Sequence, residues 1–144
     1  MITENGLWGR TQYLLEKGLD VASTRTKVFA NNIANANAPG FKRSEVGFES
    51  ELRRVIDLEK YIDANAIPAR MTDERHIPFF RSRDIRDVQI RQHVDYLSTM
   101  RNDGNNVDPE HEVAEQTKNM MTYQALTTLM NHNFRTVGIV NRVA

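Results

Sequence analysis

The sequence predicts a mainly α-helical fold, with long N- and C-terminal helices packed as a coiled-coil-like pair. A shorter helix and a small irregular or β-containing middle segment lie between them. Two observations predict this: a heptad-spaced apolar pattern at each end of the 144-residue chain, and a helix stop or start signal beside each pattern. The length fits a single domain, residues 1–144. We divide it into an N-terminal helix (1–37), a middle segment (38–107) and a C-terminal helix (108–144).

The N-terminal helix is predicted from Leu7 to Ala36. Apolar and small residues follow one another there at alternating steps of four and three, which is typical of a helix lying along another helix. The predicted seam of this helix contains Leu15, Leu19, Ala22, Phe29 and Ile33.

The segment "ANNIANANAPGFK", residues 30–42, predicts both the end of this helix and how it docks. Pro39 disfavours the α conformation at the preceding residue, so the helix should end near Ala36 or Asn37. Asn37 is predicted in the left-handed capping conformation, and Pro39-Gly40 in a tight turn. The asparagines flank a continuing apolar stripe. Their amides are therefore expected to hydrogen-bond across helices and to fix the register.

The C-terminal helix is predicted to begin with Asp108 as the capping residue and Pro109 at the first helical position. It should run nearly to Ala144. Its predicted seam contains Val113, Met120, Tyr123, Leu126, Met130, Phe134 and Val137.

The middle segment is the most polar part of the chain. One amphipathic helix is predicted from Phe48 to Tyr61, residues 63–84 are predicted to be irregular, and alternation from Val88 to Tyr96 indicates a short strand.

Composition and motif spacing argue against several classes of function. Nineteen basic and nineteen acidic residues cancel, and there is no cysteine. No apolar run approaches the ~20 residues of a membrane span, and the first residues do not form a cleavable signal peptide. The four histidines lack metal-ligand spacing, and "DGNNVD" lacks the glycine and glutamate positions of a calcium loop. We predict no catalytic site, cofactor or metal.

Seven arginines between Arg70 and Arg101 raise the alternative of a nucleic-acid-binding module. Five acidic residues in the same span weaken that interpretation and favour a solvated or interface surface. We therefore predict no nucleic-acid partner.

Residues 30–42 also resemble a motif of the bacterial flagellar axial proteins, which build the rod and hook. In that family the N-terminal helix is followed by a pattern close to A-N-N-x-A-N-x-x-T-x-G-[FY]-[KR]. The matching residues are Ala30, Asn31, Asn32, Ala34, Asn35, Gly40, Phe41 and Lys42. Ala38 stands where threonine is usual. The C-terminal segment and "GFKRSEVGFESEL" are similar to stretches of proximal rod proteins.

The resemblance implies a structural subunit of the flagellar basal body, assembled helically into a periplasmic drive shaft that transmits torque. The implied partners are further copies of the chain, other rod proteins, the MS-ring protein, the rod adaptor protein and the flagellar export apparatus. The resemblance also implies that the chain is exported without cleavage of a signal peptide. Two alternatives stay open. The resemblance fits one of the two sister proteins of the proximal rod best, and the chain could instead be the second sister. It could also be a coiled-coil adaptor outside the flagellum.

Overall fold

A computed structural model describes residues 7–65, 70, 72–73, 75–77 and 84–143. The mainly α-helical prediction is confirmed. The chain forms helices α1 (Leu7–Ala34), α2 (Glu49–Asn65) and α3 (Pro109–Val143), and strands β1 (Ser44–Gly47) and β2 (Arg91–Val94). A short 3-10 helix, Ile85–Asp87, precedes β2. The two strands pair as a small antiparallel sheet.

The contacts group the chain into two compact units. One contains Met1–Val46 and Gln92–Ala144, and the other contains Gly47–Arg91. Residues 38–46 and 92–107 of the predicted middle segment group with the two long helices. In the second unit, α2 contacts the 3-10 helix, and four apolar side chains are buried: Phe48, Val55, Ile85 and Val88.

The two long helices pack side by side and run antiparallel. Three side-chain contacts establish their register, joining Gln12 to Met130, Ala22 to Asn119, and Asn32 to Glu112. The helices approach closely near Gly18, where an added Cβ would lie 3.1 Å from a methyl group of Leu126. A larger residue at position 18 would therefore displace Leu126.

Few apolar side chains are fully buried in the described parts of these two helices. They are Val21, Ala22 and Val28 on α1 and Met130 on α3, while Leu15, Leu19 and Leu126 are half-buried. Short side chains allow close approach but each buries little area. Burial of apolar area alone therefore gives this pair a limited stabilisation, and polar contacts make up much of the interface.

The end of α1 differs from the prediction in one respect. The helix ends at Ala34, two to three residues early, and the prediction of a left-handed Asn37 is wrong. Among the described residues, only Gly40 (φ 71°) and Gly104 (φ 81°) have positive φ. The chain instead continues in tight turns, in which Asn35 N–H donates to Asn31 and Asn32 carbonyls and Ala36 N–H donates to Ile33. Contacts from another segment, described below, replace the predicted cap.

The structure also tests the predicted bounds of the middle helix, of the strand and of the C-terminal helix. The predicted helix from Phe48 to Tyr61 is observed as α2, and the predicted strand from Val88 to Tyr96 is shorter and follows the 3-10 helix. Strand β1 was not predicted, because its four residues carry no clear alternation. The start of α3 is as predicted: Asp108 Oδ1 accepts a hydrogen bond from Glu110 N–H at 3.0 Å, and Pro109 is the first helical residue. Pro68, Pro78 and Ala144 lie outside the described residues.

The backbone at Gly40 generates the first testable prediction. A Cβ added at Gly40 meets no atom within 4 Å, so the cost of Gly40→Ala comes from its positive φ alone. A left-handed conformation costs an L-residue about 1–2 kcal/mol, and we expect urea denaturation to show a loss of that size. The control is Gly138→Ala, which also meets open space but lies within α3. It should stabilise the helix by about 0.5–1 kcal/mol. Equal effects of the two changes would contradict the role of φ at Gly40.

Candidate functional site

Two buried polar side chains and one half-buried arginine join the end of α1 to the start of α3. Asn32 and Glu112 are both fully buried, and the Asn32 amide nitrogen donates to Glu112 Oε2 at 2.9 Å. Arg43 donates from Nε to the other oxygen of the same carboxylate. The side chain of Asn32 also pairs with the backbone of Ser44, donating to its carbonyl at 2.9 Å and accepting from its N–H at 3.1 Å. We call Asn32, Arg43 and Glu112 the polar cluster.

The charge of Arg43 is secured by its two acidic partners. Burial alone lowers the pKa of Arg43, but hydrogen bonds and charge attraction from Glu112 and Glu45 outweigh burial and raise that pKa above its ordinary value. Glu45 in turn lies 3.5 Å from His93 Nε2. A buried carboxylate is costly unless it is paired and hydrogen-bonded, and here both oxygens of Glu112 have partners.

Carbonyl groups of the turns that follow α1 are satisfied by a distant segment. The buried Asn105 amide nitrogen lies 3.2, 3.0 and 2.9 Å from the carbonyl oxygens of Asn35, Ala36 and Ala38. Arg101 adds a hydrogen bond to the Ala36 carbonyl at 2.9 Å. These carbonyls lie just after the last residue of α1, Ala34. The segment before α3 therefore holds the turns in which the sequence had suggested that α1 would cap itself.

A tight loop beside this cap is held by a second set of hydrogen bonds. Asn106 donates to the Asp95 carbonyl at 2.8 Å and accepts from the N–H of Arg43 at 2.6 Å. Hydrogen bonds from the Ser98 hydroxyl, then from the N–H groups of Ser98 and Leu97, lower the pKa of the Asp95 carboxyl. Among the described residues, no buried side-chain nitrogen or oxygen lacks a hydrogen-bond partner. The connection between the two helices is thus polar but fully satisfied.

The residues of the asparagine motif fall into two groups. Asn32 faces inward to the polar cluster, whereas Ala30, Asn31, Ala34 and Gly40 are exposed. The Asn35 amide donates to the carbonyl of Asn31 at 2.8 Å and to its side-chain oxygen at 3.1 Å. Phe41 and Lys42 are half-buried, and Lys42 Nζ donates to the Ser98 carbonyl at 3.0 Å. One of the matched asparagines therefore makes the hydrogen bond across helices, and the others stay near the surface.

The predicted seam residues divide in a similar way. On α1, Ala22 is buried and the other four, Leu15, Leu19, Phe29 and Ile33, are half-buried. On α3, Met130 is buried, and Leu126 and Val137 are half-buried. Val113, Met120, Tyr123 and Phe134 are 45–63% exposed. The packed face of α3 instead contains the polar residues Glu112 and Asn119.

Reasoning from the sequence missed four polar residues: Arg43, Asn105, Glu112 and Asn119. Arg43 is the residue just after the motif, and Glu112 lies in the acidic first turn of α3. Asn119 donates to the Ala22 carbonyl at 2.8 Å and to the Thr26 hydroxyl at 3.0 Å. One signal was available: Glu112, Asn119, Leu126 and Val137 are spaced at multiples of about 3.6 residues. A search for apolar spacing alone could not find it.

The arginines that had suggested nucleic-acid binding can be placed in part. Arg101 contacts the end of α1, and Arg86 lies in the 3-10 helix. Within the described part of the chain, no three His, Asp or Glu side chains are grouped so that they could hold a metal ion. No helix in that part is long and apolar enough to cross a membrane.

The structure therefore contains a long antiparallel helix pair whose two helices are joined through the asparagine motif. A family model described as "Flagella basal body rod protein" matches residues 13–42, which cover most of α1 and the turns after it. The class indicated by the fold and the motif is therefore that of the flagellar basal body rod proteins.

Three individual relatives identify the family within this class. The flagellar basal body rod protein FlgB of Borreliella burgdorferi is 39% identical over 85% of this chain and 88% of that protein. The FlgB proteins of Borrelia hermsii (39% identical, 88% and 92% covered) and Bacillus subtilis (31% identical, 93% and 95% covered) are similar over comparable lengths. The chain belongs to the FlgB family. It is a structural subunit of the flagellar basal body rod, and the sister proximal rod protein FlgC is not favoured.

The cap made by Asn105 generates the second prediction. Asn105→Ala removes hydrogen bonds to the carbonyls of Ala36 and Ala38, which keep Arg101 and the N–H of Phe41 as donors. It also leaves the buried N–H of Val107, which is bonded to Asn105 Oδ1 at 2.7 Å, without its partner. With roughly 1–3 kcal/mol for a buried group left unsatisfied, we expect urea denaturation to show a loss of about 1–3 kcal/mol. Asn102→Ala, at an exposed position three residues earlier, should change stability by less than about 0.5 kcal/mol. Similar losses for both variants would mean that Asn105 does not cap α1.

Proposed function

We propose that the chain assembles helically with its neighbours through α1 and α3, forming the proximal part of the rod and transmitting torque. The role is structural, with no reaction catalysed and no cofactor required. The observation that supports the proposal is the distribution of apolar side chains around α3. Fifteen large apolar residues of the described chain are exposed, and eight of them lie on this helix: Val113, Met120, Met121, Tyr123, Leu129, Phe134, Ile139 and Val140.

These exposed residues stand on several sides of α3. Met121 and Ile139 are eighteen residues apart, or five turns, so they share one side. Leu129 and Val140 are three turns apart on a second side, and Met120 lies about 100° from Met121 on a third. Glu112, Asn119 and Met130 occupy the side that packs on α1. Large apolar side chains grouped at a surface mark sites of contact with other protein, and α1 covers only the side of α3 that carries Glu112, Asn119 and Met130.

An open groove between α1 and α3 offers a place for a neighbouring side chain. It has a volume of about 580 Å³, with Met120 and Tyr123 on one wall and Ser23, Thr26 and Lys27 on the other. The mixture of apolar and polar walls fits the side of another amphipathic helix. Copies of this chain and other rod proteins are the occupants that family membership favours.

Further partners follow from the resemblance to proximal rod proteins. They are the MS-ring protein and the rod adaptor protein at the base of the rod, and the flagellar export apparatus that carries the uncleaved chain to the periplasm. A coiled-coil adaptor outside the flagellum is less well supported, because α1 and α3 already use one face of each helix to pack within a single chain.

Phe134 provides the test of this assembly surface. Its side chain is 59% exposed in the single chain, so Phe134→Asp should leave the stability of the purified protein nearly unchanged. If this side of α3 packs in the rod, the same change buries an unpaired charge, which costs several kcal/mol at every subunit. We expect normal expression and export of the variant but no rods and no swimming in a complemented strain.

The matched control is Arg70→Glu, a charge change at an exposed residue in the other unit. Exposed ion pairs are worth about 0–1 kcal/mol, so swimming and basal-body yield should stay near normal. If Arg70→Glu is the more damaging of the two, α3 is not the assembly surface and the middle of the chain takes that role.

A further inference from the structure

The apolar residues of α1 and α3 do not by themselves select one register for the pair. The buried apolar side chains of this interface are few, and two of the close contacts involve small residues, Gly18 and Ala22. A shift by one heptad turns α3 by only about 20°, so the same side of the helix, with Leu126 and Met130, would still lie against α1. Such a shift moves one helix along the other by about 10 Å. Burial of apolar area is non-directional and distinguishes poorly between such arrangements.

The polar cluster, in contrast, favours one register of the two helices over the shifted ones. Asn32 and Glu112 are both fully buried and in direct contact, and Arg43 bonds the same carboxylate. A heptad shift in either direction separates Glu112 from Asn32 by two turns. The buried amide nitrogen then loses one of its two acceptors and keeps only the Ser44 carbonyl, and Arg43 loses Glu112. Buried polar groups without partners are strongly disfavoured, so every shifted register is penalised while the observed one is not.

We propose that Asn32 and Glu112, supported by Arg43, are the residues that select the register of α1 against α3. They are specificity-determining residues within the chain and need no neighbouring subunit. The register determines which residues of α3 lie beside each turn of α1. It therefore fixes the apolar surface that the pair presents to other molecules.

The chain contains no cysteine, which allows a direct measurement of register. Spin labels are attached to cysteines introduced at two exposed positions, Ala30→Cys on α1 and His132→Cys on α3. Pulsed electron paramagnetic resonance then reports the distance between the labels in the full-length protein. One register gives one distance, and a heptad shift in either direction moves it by about 10 Å.

The test variant replaces the buried pair with apolar residues, Asn32→Leu with Glu112→Leu. Arg43 keeps Glu45 as a partner in this variant. We expect a second distance population, separated from the first by about 10 Å. The matched control is Asn31→Leu with Glu110→Leu, which makes the same changes at exposed neighbouring positions on the same helices. It should keep the single distance of the parent. A single unshifted distance in the test variant overturns the proposal.

If the variant with the apolar pair loses its helical circular dichroism signal, a second variant tests the same proposal. Asn32→Asp keeps the size of the side chain but sets a second carboxylate against Glu112, where like charges repel. We expect a second or shifted distance, while Asn31→Asp, with the same charge change at an exposed position, keeps the parent distance. If Asn32→Asp also retains the parent distance, the register does not depend on this contact.

Discussion

The contact between Asn32 and Glu112 is the constraint on which the helix pair depends. It joins residues 80 positions apart through two side chains that are fully buried. Arg43 balances the charge of Glu112, and Ser44 occupies the remaining hydrogen-bonding capacity of Asn32. Replacing such a cluster with apolar residues often leaves stability unchanged, so its value lies in specifying one arrangement more than in strengthening it.

The turns between α1 and β1 follow from the same constraint. Gly40 takes a positive φ, and its N–H donates to the carbonyl of Asp103 at 3.0 Å. That contact brings the turn beside the segment containing Asn105, whose amide bonds the carbonyls at the end of α1. The motif thus works as an intramolecular docking element, since its buried asparagine and its turn both contact residues that precede or begin α3.

Much of this fold could be predicted from the sequence, because local signals suffice for helix boundaries. Asp108 and Pro109 located the start of α3, and Pro39 placed the end of α1 within three residues. The packed faces were harder to predict, because a search for apolar spacing passes over Asn32, Glu112 and Asn119. The predicted stripe on α1 missed Val21 and Val28, both buried, since each lies one position before a residue assigned to the stripe, Ala22 or Phe29. A long-range cap such as Asn105 leaves no local signal, because its acceptors are about 70 residues away.

Helix α3 has polar side chains on its packed side and apolar side chains on its open sides. Its face toward α1 carries Glu112 and Asn119 beside Leu126 and Met130. Met121, Leu129 and Ile139 are exposed on other sides of the helix. A subunit that adheres to several neighbours needs apolar surface on several sides, yet the same surface could pack wrongly against its own α1. Directional hydrogen bonds inside the chain remove that ambiguity, because they are satisfied in one register only. The apolar surface then remains available for contacts between subunits.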